Sequence, residues 1–477
     1  MTPFNGISRV LNDRYYGMFD FDYDNKLFLQ LATAAEASST FADRFWSSSA
    51  GLSYEFTRDF KIPTLSYGKI RTSWGRVGVA PPEYITGTNY VGAGSASGWG
   101  ESLDASNFGG SIYRSTTSGN PQIRPEMKQE LEIGADLKFL DNKISIGATY
   151  YTNTIEDIIL ATAVPASTGF TNKWLNAGTI SNTGYEFDWN IQLMKKKDFT
   201  WNLYGNIGAN RNIVEDLNGS KSIFLAGFTG VSSRAVEGEA MGTLWGGKWK
   251  RDESGKLMLD ADGFPQPDAE EGVLGDPNPT WKGGFGTNIS YKGLYLNVLF
   301  EACQGNQMWG GTYGVLNYFG VSKETGEEIL MSAEQGTTIK DYYGMTASEW
   351  VDPNADGTYT VRGKLEDFGG GNVWLNQGWY TTNGGGFGPV GEQFIYDASW
   401  FRLRELSIRY DLPQSVLRAL HVPGASIGFT GRNLALWTNV EGLDPETNLT
   451  GVTNGRGLDY FNNPGTKSYM FSLSIKI

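Results

Sequence analysis

The sequence predicts an all-β protein, a transmembrane antiparallel β-barrel with short turns on one side of the membrane and long loops on the other. Three observations carry that prediction. The first is strict alternation. In the last eleven residues Tyr469, Phe471, Leu473, Ile475 and Ile477 alternate with Ser468, Met470, Ser472, Ser474 and Lys476, and a period of two puts each set on its own face of a strand. The second is composition. Aromatics reach 14%, glycines number 63 and charged residues only 19%. No apolar run approaches the ~18 residues of a membrane helix, whereas barrel strands conceal their lipid face in alternation. The third is the rhythm of the connections, short within strand pairs and long between them. Outer-membrane barrels have that asymmetry, and a soluble sandwich has no need of it.

The elements follow in order. Tyr15 to Tyr23 and Leu27 to Ala35 flank a tight turn at Asp24-Asn25-Lys26, and Ser48 to Phe56 and Tyr67 to Arg76 come next. Glu126 to Phe139 sets Leu131, Ile133, Ala135, Leu137 and Phe139 against Glu130, Glu132, Gly134, Asp136 and Lys138, then turns at Asp141-Asn142 into Lys143 to Thr154. Tyr185 to Leu193 and Phe199 to Gly208 form a further pair around Lys195 to Asp198, and Thr280 to Tyr291 pairs with Leu294 to Gln304 across Lys292-Gly293. Trp400 to Tyr410, Ala425 to Leu436 and Lys467 to Ile477 complete the set. In Trp400 to Tyr410 the apolar parity slips between Leu403 and Leu406, which predicts a bulge. The long connections are expected at 36–47, 77–125, 155–178, 213–279, 305–399 and 437–466, with a small hairpin around Lys248 to Leu259.

This gives about 13 strands. The first runs into a short turn, hence toward the periplasm, and the last ends on that same side. Two strands of one direction do not close an antiparallel barrel, and single-chain bacterial barrels use even strand numbers. The parity therefore predicts the C-terminal part of a larger barrel, seen alone as an open, curved sheet. Met1-Thr-Pro-Phe has no basic and apolar leader, which leads to the same expectation.

Several function classes are excluded. A net charge of -13 without a basic cluster argues against nucleic acid. One histidine, His421, and one cysteine, Cys303, leave little material for a nucleophile–base pair or a His-rich metal site, and none for an internal disulfide. No enzyme is expected.

Ordered motifs then resemble the SusC/RagA branch of TonB-dependent outer-membrane transporters. They are Asn120-Pro121 with Pro125-Glu126, Glu132-Ile-Gly134, Tyr150-Tyr151 and Asn176-Ala-Gly-Thr-Ile-Ser-Asn182-Thr-Gly184-Tyr-Glu186. Then come Asp260-Ala-Asp262-Gly263, Gly275-Asp-Pro277-Asn278-Pro279, Trp281 and Gly283-Gly284-Phe285. Phe401-Arg402-Leu403-Arg404, Tyr410-Asp-Leu-Pro413, Arg432-Asn433-Leu434 and Gly442-Leu-Asp444-Pro445-Glu446 close the series. The resemblance implies a barrel of about 22 strands in outer-membrane lipid, a preceding plug with a TonB box, a lipoprotein lid resembling SusD, and energised import of oligosaccharides or peptides. The plug, the TonB-contacting segment and the first strands are expected to lie outside these residues, leaving 1–477 as a partial barrel domain without energy coupling of its own. Ile477 stands where the family ends in an aromatic residue. The alternatives are a passive or structural outer-membrane barrel, a nonfunctional fragment, or a secreted glycan-binding β-protein.

Candidate substrate-binding residues are the loop aromatics Trp99, Tyr113, Trp174, Trp309, Tyr313, Trp374, Trp379 and Tyr380. Aromatic faces stack on the C–H faces of sugars, although large loops also need anchors of their own. Asp352, Asn354 and Asp356, followed by Gly357, match the first half of a calcium loop, but Gly363 stands where a bidentate Glu is required. They are the candidate cation ligands, set against a plain Gly-Asp turn. Gly369 to Gly371 and Gly384 to Gly386 lack a phosphate loop's Lys and strand–helix context and are expected to be flexible loop.

Overall fold

The computed structural model describes residues 9–95, 103–451 and 455–476. Its long strands number thirteen and fall in two compact units. The first unit takes the described residues up to Ile223 together with Val236–Glu239, and the second takes Phe224–Ala235 and Ala240 onward. In the first lie β1 (Asn12–Tyr23), β2 (Leu27–Ser38), β3 (Phe41–Tyr54), β4 (Leu65–Val79), β5 (Glu126–Phe139), β6 (Ile144–Glu156), β7 (Thr179–Lys196) and β8 (Phe199–Asp216). In the second lie β9 (Trp281–Tyr291), β10 (Leu294–Gln304), β11 (Trp400–Asp411), β12 (Gly424–Thr438) and β13 (Ser468–Lys476). Within each unit every long strand pairs antiparallel with the next.

The turns are fixed by local chemistry. Asp24 and Asn25 both take positive φ, at 54° and 52°, the backbone of a type I′ hairpin turn. The Asp22 carboxylate accepts from the Asn25 N–H at 2.9 Å. Lys292-Gly293 does the same with φ of 46° and 85°. Along the strands, alternation sorts the faces as expected. Leu131, Ile133, Tyr185, Phe285, Ile408 and Ile427 are exposed, where lipid would cover them. Phe285, Phe300, Phe401 and Trp437 form one aromatic band across β9 to β12, with neighbouring centroids 5.2–5.5 Å apart. The opposite face is a polar network. In the first unit Asn182 donates to Asn153 at 2.9 Å, Asn212 donates to Asn182 at 2.8 Å, and Asn153 donates to Glu130 at 3.0 Å.

The predicted bulge is present. The register shifts between Leu403 and Glu405 against both neighbouring strands, leaving Arg404 unpaired by backbone. Its guanidinium bonds Glu301 at 2.7 Å, Asn433 at 2.8 Å, and both Glu446 oxygens at 2.7 and 2.9 Å. Beside it Arg402 holds Asp444 at 2.6 Å and approaches Glu446 at 3.0 Å. These contacts pin the segment after β12 to the polar face of β11.

Two expectations about connections need correction. The loop expected at 36–47 is only Ser39 and Thr40, because β2 continues to Ser38 and β3 starts at Phe41. Ala34, Ala35, Ala37 and Ser38 are too small to alternate visibly, yet Glu36 accepts from Ser47 across the pair at 2.8 Å and the ladder continues. The hairpin around Lys248 is a ladder of single bridges, Arg251 to Leu257, Leu259 to Pro265 and Trp249 to Pro267. At the edges, β1 pairs only with β2 and β13 only with β12 among the described residues, and both are exposed along their whole length. The open sheet expected from parity is met at both strands.

Replacing Arg404 strands Glu301 and leaves Glu446 to Arg402 alone, in a partly buried setting. Arg404→Ala should lower unfolding stability by about 2 kcal/mol, between the values for exposed and buried pairs. Arg432→Ala, which frees only Glu405 from an exposed partner, should cost under about 1 kcal/mol. Denaturant unfolding of the detergent-solubilised protein measures both.

Candidate functional site

The loops of the second unit form a folded cap. Trp249, Phe264, Val373, Leu375, Trp379, Tyr380 and Val390 make one apolar core, with Trp249 stacked on Trp379 at 5.8 Å. Val231, Leu244, Trp309, Phe394 and Leu458 make a second. Met331, Ala347, Tyr359, Val361 and Trp374 make a third. The triple glycine Gly384 to Gly386, expected to be flexible, is instead buried and tightly packed. A Cβ at Gly384 would stand 2.1 Å from the Trp379 indole, and one at Gly386 would stand 2.4 Å from the Gly314 backbone. Glycine is required there by close approach, not by freedom. Gly369 and Gly371 are exposed with positive φ, as loop residues.

Within this cap lies a cavity of about 640 Å³, a size suited to small ligands. Its organising group is Asp341, fully buried at 0% exposure. One carboxylate oxygen accepts from the Tyr343 and Met345 backbone N–H groups, both at 2.9 Å. The other accepts from Trp350 Nε1 at 2.8 Å and Asn376 Nδ2 at 2.7 Å. A buried carboxylate needs such donors, and here they fix the Trp350 indole and the backbone at Tyr343. Trp350 closes a short helix, Ala347–Trp350, started by a capping box of Thr346 and Glu349. The Glu349 oxygen accepts from the Thr346 N–H at 2.7 Å, and that backbone bond holds its carboxyl below the usual range. Trp350 remains 49% exposed and Tyr343 58%.

Asn317 and Arg362 also line the cavity. Asn317 is only 8% exposed, and its Oδ1 has no hydrogen-bond partner. The Arg362 guanidinium donates to the carbonyls of Thr325 at 2.6 Å and Gly320 at 3.1 Å.

Within the second unit, the aromatics singled out from sequence serve different cores and only two reach the cavity. Trp99 lies outside the described residues. Tyr113 is exposed in the strand Ile112–Arg114, and Trp174 is half-buried in Asn172–Asn176; both belong to the first unit. Trp309 is 2% exposed and stacks on Tyr460 at 6.3 Å, and Tyr313 packs on Tyr396 at 5.7 Å. Burial pushes the Tyr396 phenol up to about 12. Trp379 is buried at the centre of the first core. Trp374 and Tyr380 reach the cavity wall but are themselves buried. Trp374 donates to the Arg362 carbonyl at 3.0 Å, and the Tyr380 hydroxyl donates to Glu324 at 3.3 Å. Burial, then Glu324, pushes the Tyr380 phenol up. Sequence reading missed Asn317, Tyr343, Trp350 and Arg362. A capping box ending on an exposed Trp, Thr346-Ala-Ser-Glu349-Trp350, was the available signal.

Asp352, Asn354 and Asp356 are exposed on a turn before the strand Tyr359–Arg362. Asp356 accepts from the Thr358 hydroxyl at 2.7 Å, which lowers its pKa, and Asn354 donates to Thr358 and Thr360. Among the described residues no group of three His, Cys, Asp or Glu is placed to hold a metal.

A family profile described as "TonB dependent receptor-like, beta-barrel" matches residues 2–434. The chain belongs to that family. It is therefore an outer-membrane β-barrel. TonB-dependent receptor P3 of Formosa agariphila is 24% identical over 515 residues, covering 100% of this chain and 46% of that protein. SusC of Bacteroides thetaiotaomicron is 22% identical over 425 residues, covering 80% and 40%. The solved RagAB peptide transporter matches with a TM-score of 0.68 at 18% identity, covering 98% of this chain and 48% of that one. The chain thus spans about half the length of the curated TonB-dependent relatives it matches.

Two outcomes follow for the cap. Asp341→Ala removes four bonds at one buried point and should cost about 3 kcal/mol or more. Limited proteolysis should then cut within 333–376 while the strands stay protected. Asp459, also buried, has its carboxyl pushed up by burial. A folded pKa above the unfolded value adds stability at low pH that is lost as pH rises through it. Asp459→Asn should accordingly melt at a higher temperature than the parent at pH 7.5, with the gap closing as pH falls below the usual carboxylate range.

Proposed function

We propose that this chain is the C-terminal barrel portion of a SusC-like TonB-dependent importer for oligosaccharides or peptides. The importer works beneath a SusD-like lipoprotein lid and draws energy through a plug supplied from outside these 477 residues. The observation that carries the reading is the family match over 2–434, joined to loops that fold into a firm cap with its own cores and cavity. A passive pore needs an open mouth, whereas an importer needs a shaped one that meets cargo and partner. The likeness to SusC and to the RagAB peptide transporter supports nutrient cargo of either chemistry.

Uptake separates the importer from a passive barrel. Cells carrying the intact coding region should accumulate labelled oligosaccharide or peptide, and cells deleted for it should not. A protonophore should abolish that accumulation. Uptake that persists under protonophore would assign a passive pore instead.

A further inference from the structure

The cavity in the cap has features that point to one ligand chemistry. Two of its walls are exposed aromatic rings held from behind, Trp350 by Asp341 and Tyr343 by Gly378, where an added Cβ would stand 2.5 Å from the ring. Rings fixed before a ligand arrives lose little freedom on binding. Asn317, only 8% exposed, adds an amide to the lining. Arg362 is the one charged residue on the lining, and no Asp or Glu joins it there. Its bonds go to backbone carbonyls, and the nearest acidic neighbour in the ladder, Glu328, stands opposite it off the lining. Gln377 and Thr360 add side-chain donors and acceptors around the rings.

We infer that this cavity binds one unit of an acidic saccharide, a pyranose ring bearing a carboxylate or a sulfate. The C–H face of the ring rests on Trp350 and Tyr343. Its hydroxyls bond Gln377 and Thr360, and its anionic group meets Arg362. A ligand hydroxylated at nearly every carbon matches walls on which rings and amides interleave, better than a peptide of apolar side chains would. The inference rests on the import reading and names its substrate class.

Titration calorimetry on the protein purified from outer membranes in detergent tests it, with tetragalacturonate, a sulfated carrageenan tetrasaccharide, neutral cellotetraose and tetra-alanine as probes. At least one acidic tetrasaccharide should bind saturably, about tenfold or more tighter than cellotetraose. The galacturonate and carrageenan arms separate carboxylate from sulfate. Tyr343→Ala and Trp350→Ala should each weaken binding about tenfold or more, and Arg362→Gln should erase the acidic preference, with the circular dichroism spectrum unchanged. Tyr343 is the more exposed of the two rings, so its variant remains informative if Trp350→Ala disturbs the cap. The inference is overturned if neither acidic probe binds, if tetra-alanine alone binds, or if Tyr343→Ala and Arg362→Gln bind as the parent does. Protonophore-sensitive uptake with unchanged charge preference in Arg362→Gln cells overturns the saccharide site and leaves the importer standing. Acidic-sugar binding by a protein whose uptake ignores protonophore supports the site and overturns the importer.

Discussion

Backbone pairing in a medium without water is the constraint on which everything else here depends. In hydrocarbon an unsatisfied N–H or C=O costs several kcal/mol, so strands must pair along their length. That demand sets the alternation, since only one face meets lipid, and it sets the turns. Asp24-Asn25-Lys26 reverses the chain in three residues and Lys292-Gly293 in two, with positive φ at Asp24, Asn25, Lys292 and Gly293. The bulge at Arg404 is a controlled exception. One residue leaves the ladder, and its guanidinium gathers Glu301, Asn433 and Glu446. The same constraint bears on β1 and β13, each of which has one partner among the described residues. Both flanks would gain a second ladder in the larger barrel proposed here.

How much of this was legible follows from what each residue type reports. All thirteen long strands were visible, because large apolar residues against charged or amide residues leave an unmistakable period. The exception is 36–47: Ala37 and Ser38 carry no size contrast, and in Phe41 to Trp46 aromatic and charged residues fall on both parities, so strands that pair through Ser38 to Phe41 read as a loop. The parity slip in Trp400 to Tyr410 was legible as well, because a bulge inverts the face of every later residue.

The motifs that carried the family resemblance turn out to have local physical duties. Arg402, Arg404, Asn433, Asp444 and Glu446 are one ionic network. Asn176 bonds the carbonyls of Arg124 and Asp157 and the N–H of Arg124, fastening a loop over the strand ends. Gly184 gives the Tyr151 ring its place, since a Cβ there would lie 2.4 Å from it. These residues hold the barrel wall and its loop roots together. They report on architecture, and that is why they identify a family without naming a cargo.

The candidate site was less legible for the converse reason. Composition marks aromatics but not their burial, and a loop large enough to need a core consumes its rings in building it. Trp309, Trp374 and Trp379 are used in that way. What distinguishes Trp350 and Tyr343 is that they stay exposed on a loop anchored by Asp341, which holds the indole of one and the backbone of the other. Asp341 sits nine residues from one ring and two from the other, and only the folded loop brings its oxygens to the Trp350 indole, Asn376 and two backbone amides at once. A ring is available to a ligand when it is both held and exposed. On the cavity wall Trp374 and Tyr380 are held but buried, whereas Trp350, Tyr343 and Phe319 keep exposed faces.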